Sequence, residues 1–312
     1  MNRSEFKNLV SDRIIYLDGA TGSNLMKAGM PAGVCPEKWI LEHEDIFLKL
    51  QTEYVQAGSD ILYAPTFTAN RIKLAEYGLQ DELLSMTKRL VALSKKAAAG
   101  KALVAGNITM TGKQLSPIGN MDFEELVEVY KEQIRALEEA GADLLAVETM
   151  MSLQECRAAL IAAKETSELP IMVTLTFEKD QRTLYGTDAL TAAVVLDSLG
   201  ADAVGVNCST GPAAMAELVR TMAEAVEIPI IAKPNAGLPY VDGEGNTAYD
   251  MEPEEFAQEM LLLRDAGASL LGGCCGTDPA YISRLRQMAG TKKAARNVRE
   301  GIRYLTSERK TW

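Results

Sequence analysis

The sequence predicts a single α/β domain, a (β/α)8 TIM barrel over residues 1–312 with its core at about 10–290. Three observations predict it. Eight short apolar runs alternate with longer amphipathic stretches, and four of the passages from helix into strand repeat one glycine-centred element. The chain also has 312 residues, 47% of them hydrophobic, which suffices for one large core.

The runs lie at 14–17, 61–64, 103–105, 144–147, 171–175, 203–206, 230–232 and 270–272. Each is short and predominantly apolar, as expected of strands covered on both faces of a parallel sheet. The stretches between them carry helical spacing. Phe123, Val127, Tyr130, Ile134 and Leu137 advance by three or four residues and draw one stripe. Asp122 with Glu125 predicts a capping box at the start of that helix, and Ser152 with Glu155 predicts another. Asp278 before Pro279 predicts an N-cap followed by proline at the first helical position, where the missing N–H costs nothing.

The repeated element is Ala57-Gly58-Ser59-Asp60, Ala140-Gly141-Ala142-Asp143, Leu199-Gly200-Ala201-Asp202 and Ala266-Gly267-Ala268-Ser269. Its glycine can turn left-handed, end the helix and send the chain directly into the sheet. Eight such units close into a barrel and leave no edge exposed. The same alternation permits an open doubly wound sheet, but the number of units in a chain of this length favours the barrel. Residues 1–12 are expected outside the barrel or at its lower end, 107–121 as a long loop on the rim, and 291–312 as a charged terminal stretch.

Composition narrows the function. Asp plus Glu is 43 against 32 Lys plus Arg, a formal charge of −11, which argues against a binder of nucleic-acid phosphates. No leader-like apolar segment opens the chain and no run reaches membrane-spanning length, so a cytoplasmic protein without membrane contact is expected. Five scattered cysteines make an odd number and a poor disulfide scaffold. His43 is the only histidine, so a His-rich metal site or a Ser-His-Asp triad has little or nothing to draw on.

The chemistry-bearing feature combines Gly205-Val206-Asn207-Cys208-Ser209 with Gly272-Gly273-Cys274-Cys275-Gly276. Cys208 would end the sixth strand and Cys274-Cys275 the eighth, one strand apart at the C-terminal face, where this fold places its active sites. Three thiolates suit zinc and leave a fourth position open for a substrate atom. The spacing alone also allows three buried cysteines that only pack, or a vicinal disulfide between Cys274 and Cys275. Cys35 and Cys156 read as structural, and His43, in an acidic run, as a surface residue.

Asp18-Gly19-Ala20-Thr21-Gly22, Gly205-Val206-Asn207-Cys208, Pro234-Asn235-Ala236-Gly237 and Gly272-Gly273-Cys274-Cys275-Gly276-Thr277 occur in that order. Together they resemble the zinc-dependent homocysteine S-methyltransferase family, and within it the homocysteine-binding module of cobalamin-dependent methionine synthases. The resemblance implies Zn2+ on Cys208, Cys274 and Cys275, with Asp18 and Glu148 holding the amino-acid end of homocysteine, above all its ammonium. It also implies that Asn207 and Asn235 orient ligands or only fix loop amides by hydrogen bonds, while Thr66 and Gly19, at predicted strand ends, would line the pocket.

The chain departs from the family pattern twice. Gly106-Asn107-Ile108-Thr109-Met110-Thr111-Gly112 stands where Gly-Asp-Ile-Gly-Pro-Thr-Gly is common, and Lys233 stands where cobalamin-type relatives often carry a carboxylate. Both remove negative charge near the rim and bear on the thiol accepted and the surface shown to the methyl donor. The resemblance favours methylcobalamin as donor; as the cobalamin signature Asp-x-His-x-x-Gly is absent here, it would arrive on a separate corrinoid protein unless the chain is a piece of a longer one. A small sulfonium or betaine-type donor is the enzymatic alternative, and a non-catalytic zinc-stabilised binding protein the alternative of another class.

Overall fold

The structure is a computed structural model and describes residues 1–243, 247–299, 301–302 and 304–312. Its strands are β1 (Ile15–Tyr16), β2 (Ile61–Tyr63), β3 (Leu103–Ile108), β4 (Leu144–Met150), β5 (Ile171–Leu175), β6 (Ala203–Asn207), β7 (Ile230–Lys233), β8 (Tyr240–Val241), β9 (Thr247–Ala248) and β10 (Ala268–Leu271). Among the described residues β8 and β9 form a small antiparallel hairpin, and the other eight form one sheet in the order β1-β10-β7-β6-β5-β4-β3-β2. All its pairings are parallel, with helices on the crossovers, so the expected (β/α)8 barrel is the fold.

The ring closes between β1 and β2, and this seam is its thinnest join. One parallel bridge, Leu17 to Ile61, crosses it. Two aspartate side chains supplement it. Asp60 Oδ2 accepts from the Tyr16 amide at 2.8 Å, and Asp18 Oδ2 accepts from the Tyr63 amide at 2.7 Å. Carboxylates thus take amide hydrogens that a longer β1–β2 ladder would satisfy, and β1 is shorter than the 14–17 expected, the Ile14 amide donating to the Thr291 carbonyl outside the sheet.

Strand parity divides the apolar residues. Ile14, Tyr16, Leu62, Leu145, Val147, Val173 and Val204 pack outward against the helices. Ile15, Leu17, Ile61, Tyr63, Ala105, Leu144, Ala146, Met172, Ala203, Ile231 and Leu270 pack together inside the barrel. Phe6 and Val10 of the helix Arg3–Asp12 join this inner cluster, so the N-terminal helix plugs the barrel at its lower end.

The helix-ending glycines behave as the sequence predicts: Gly58, Gly141, Gly200 and Gly267 all have positive φ. Capping follows expectation less evenly. Asp278 accepts from Ala280 N, and Ser152 accepts from Glu155 N. Asp122 occupies an N-cap position, yet its side chain makes no cap hydrogen bond. Glu155 does not return to Ser152, because its carboxylate takes the Thr111 amide, the Thr111 hydroxyl and the Tyr130 hydroxyl. The C-terminal stretch lies along the barrel's outside: Arg296 donates to carbonyls of Ala223 and Ile228, and Thr311 pairs with Thr191.

Candidate active site

The inner parity that builds the apolar interior also builds the site above it. Continuing upward by twos, Leu103 and Ala105 lead to Asn107, Leu144 and Ala146 to Glu148, Met172 to Thr174, Ala203 and Gly205 to Asn207, and Ile231 to Lys233. A polar layer therefore closes the barrel at the C-terminal ends of its strands. Asn107 and Glu148 belong to strands that run further than the sequence indicates, β3 to Ile108 and β4 to Met150.

Cys208 follows β6 directly, and Cys274 and Cys275 lie a few residues past β10. Their sulfurs lie within 4.8 Å of one another, the single such metal-competent cluster found among the described residues, and Cys208 Sγ is 4.0 Å from Cys275 Sγ. Tetrahedral zinc with Zn–S near 2.3 Å requires sulfurs about 3.8 Å apart, so the donor set fits that ion. All five cysteines are unpaired, which sets the vicinal disulfide aside. Hydrogen bonds from Cys274 and Cys275 hold the Cys208 thiol far below its ordinary range, at about 3. The same sharing, together with burial, pushes Cys274 up, and sharing with Cys208 pushes Cys275 up to about 11. The cluster thus favours a thiolate at Cys208, and binding a divalent ion would release the protons the sulfurs share.

The approach of the cysteines is paid for in backbone strain at Cys208 (φ 63°) and Ser209 (φ 68°), both left-handed without being glycine. Each such residue costs about 1–2 kcal/mol. Glycine is needed at 272 and 273 for a different reason. A Cβ at Gly272 would lie 2.7 Å from the Asp18 carbonyl oxygen, and one at Gly273 would lie 2.3 Å from Thr277 Oγ1. These glycines permit close packing beneath the cysteine pair.

Asn207 is fully buried and binds in four directions. Its Oδ1 accepts from Thr149 N and Thr174 Oγ1, both at 2.8 Å, and its Nδ2 donates to Thr149 Oγ1 at 2.8 Å and faces Cys274 Sγ at 3.8 Å. It thereby fixes Thr149, also left-handed at φ 60°, beside Glu148. Asn235 hydrogen-bonds Cys208 through its side chain, while its buried Oδ1 has no hydrogen-bond partner among the described residues. The Tyr249 hydroxyl donates to Cys275.

Asp18 and Glu148 converge on one cation, and that cation belongs to the protein. Lys233 Nζ is 3.2 Å from Asp18 Oδ1 and 3.7 Å from Glu148 Oε2, and it lies 3.5 Å from the centre of the Tyr63 ring. Burial opposes the lysine's charge, but Glu148 and Asp18 outweigh it and raise its pKa. Burial lifts Asp18 to about 6, with Lys233 pulling the other way. Lys233 thus does more than remove a negative charge from the rim. Its position was legible in part, since Ile231 and Lys233 share the inward parity of β7.

The remaining candidates sit behind these groups. Thr66 is fully buried, and its hydroxyl donates to the Asn107 carbonyl and accepts from the Asn107 amide, so it holds the residue whose Nδ2 donates to Glu148. At Gly19 a Cβ would come within 2.6 Å of the Tyr54 hydroxyl and 2.7 Å of Thr277 Oγ1, so the absent side chain makes room for protein. Sequence reasoning did not single out Asn107, Thr149, Tyr63 or Tyr249 as site residues; parity marks Asn107 and Tyr63, whereas Tyr249 carries no local signal. Cys35 and Cys156 are buried away from the cluster, and His43 stacks on Trp39.

A TIM barrel with three converging thiols at the C-terminal ends of its strands defines a class of metal-competent α/β barrels. The family model for homocysteine S-methyltransferase matches residues 15–289, and the chain belongs to that family. It is 28% identical over 314 residues to the methionine synthase of Mycobacterium tuberculosis and 28% identical over 319 residues to that of Mycobacterium leprae. These alignments cover 95% and 96% of this chain but 26% of each relative, so the chain spans about a quarter of their length. Among solved structures, the homocysteine methyltransferase MmuM from Escherichia coli superposes with TM-score 0.74 and 22% identity in both its oxidized and metallated forms. The metallated form is covered over 98% of its length and 90% of this chain, a likeness of fold. Among the described residues no helix is long and apolar enough to cross a membrane.

Proposed function

We propose that this chain transfers a methyl group to a small thiol, homocysteine giving methionine, with zinc held by Cys208, Cys274 and Cys275. The observation that carries the reading is the meeting of three sulfurs, drawn from two strand ends, within 4.8 Å beside a buried polar layer. Family membership and the methionine synthase relatives support the acceptor. When bound, zinc supplies a Lewis acid that keeps an alkyl thiol deprotonated near neutral pH, work for which this chain offers no suitable histidine.

The chain's own residues position the partners. The three cysteines leave a fourth direction for the acceptor's sulfur, Asn207 and Asn235 orient Cys274 and Cys208, and Asp18 and Glu148 set the charge at the acceptor's far end through Lys233. The acceptor's sulfur attacks the donor's methyl carbon in line. The S–C bond forms as the bond from methyl to carrier breaks, and the electron pair leaves with the carrier. Methylcobalamin on a separate corrinoid protein is the donor this reading favours, and the soluble barrel is assigned to the cytoplasm. A small sulfonium or betaine-type donor is the second reading, motivated by the near-complete coverage of MmuM by a barrel alone.

Zinc-loaded protein and homocysteine, mixed separately with methylcobalamin, S-methylmethionine and betaine, would form the thioether with one donor class. Cys208→Ser is expected to lower zinc content and abolish turnover. Full turnover by that variant at wild-type zinc content would overturn the assignment. A metal site that stays coordinatively closed under saturating thiol would favour a non-catalytic binding protein instead.

A further inference from the structure

We propose that Lys233 is a tethered ammonium filling the cation position beside the cysteine cluster, so that an acceptor thiol gains no affinity from an α-ammonium of its own. The inference rests on the thiol-methylation reading above. All four carboxylate oxygens around the position already face a donor. Asp18 Oδ1 faces Lys233 at 3.2 Å and Oδ2 takes the Tyr63 amide at 2.7 Å. Glu148 Oε2 faces Lys233 at 3.7 Å and Oε1 takes Asn107 Nδ2 at 2.8 Å. The Tyr63 ring closes the remaining side of the lysine at 3.5 Å.

The arrangement is also dry and fixed. The side chains of Lys233 and Asp18 are 4% and 1% exposed, against 12% for Glu148. A Cβ at Gly272 would lie 3.3 Å from Lys233 Cγ, so the lysine stem lies against the eighth barrel strand's end and has little room to swing. A second ammonium entering here meets a like charge that cannot retreat, in a region where water screens poorly. It would also find only the outer edge of Glu148. The acceptors this site suits are therefore held by their sulfur and by a neutral or anionic far end. Homocysteine is taken as a thiol carboxylate whose amino group contributes nothing.

The test compares homocysteine with 4-mercaptobutanoate, the same skeleton without the amino group, by calorimetric titration of the zinc-loaded full chain. The wild-type protein is expected to bind 4-mercaptobutanoate at least as tightly as homocysteine. Lys233→Met, checked for zinc content and circular dichroism, is expected to shift the ratio of the two dissociation constants toward homocysteine by about tenfold or more, the scale of a charge-assisted contact regained. A wild-type preference of about tenfold for homocysteine overturns the inference and leaves thiol methylation standing, and needs no variant to fold. An unchanged ratio in a folded Lys233→Met protein overturns it too. Absence of binding by either thiol overturns the thiol-site reading and this inference with it.

Discussion

Replacing Asn207 by leucine, a side chain of similar shape, would test how the site is braced. The change removes the acceptor used by Thr149 N and Thr174 Oγ1 and the donor facing Thr149 Oγ1 and Cys274 Sγ. Two buried donors lose their partner, each at about 1–3 kcal/mol, while Leu fills most of the space, so no large cavity term is added. Thr149 is left-handed and would lose the bonds that hold it so. The expected loss is about 2–6 kcal/mol, read as a lower urea midpoint in the metal-free protein. Zinc affinity should fall by about 10- to 100-fold, the usual effect of removing a group that orients a metal ligand. A stability loss below about 1 kcal/mol would refute the argument, because it would mean that Thr149 keeps its conformation without these bonds.

Gly273→Ala should destabilise by about 1–3 kcal/mol and lower zinc content, since its Cβ would meet Thr277 at 2.3 Å; Gly22→Ala, with nothing within 4 Å, should stay within about 0.5 kcal/mol. Equal melting temperatures for the two variants would contradict this. Zinc at about a thousand times its dissociation constant should stabilise the fold by about 4 kcal/mol, reversibly on chelation, and an unmoved melting temperature would count against a native-state site. Asp18, lifted from 3.8 to about 6, binds a proton in the folded state between those values that the unfolded chain has released. Its contribution is fully present below pH 3.8 and is lost as pH rises through 6, about 3 kcal/mol in all. Asp18→Asn should remove that slope from stability measured between pH 4 and 6, and parallel wild-type and variant curves would show that Asp18 is not the group responsible.

The strands and the helix-ending glycines were legible because their causes are local: apolar runs need burial, and Gly58, Gly141, Gly200 and Gly267 need a left-handed turn. The cysteine cluster was legible because strand order alone sets the sixth and eighth strands one apart. The role of Lys233 was legible only as a missing negative charge, although parity placed it on the inner face of β7. Its meaning lies in Asp18, 215 positions away, and no local pattern carries that distance. Gly19 was expected to line the pocket, whereas the packing of Tyr54 and Thr277 already requires glycine there. Asp122 has the residue type of a cap and leaves that bond unmade, since composition fixes only the opportunity. The lengths of β3 and β4 were underread because Asn107 and Glu148 look like loop residues until their inward partners are known.

The join between β1 and β2 gives Asp18 a double duty. One of its oxygens belongs to the wall, through the Tyr63 amide, and the other to the chamber, through Lys233. Anything that tightens or loosens the chamber's hold on this carboxylate is therefore transmitted to the fastening of the whole cylinder. How firmly Asp18 is held is therefore readable at a main-chain hydrogen on β2, in how readily the Tyr63 amide exchanges with solvent.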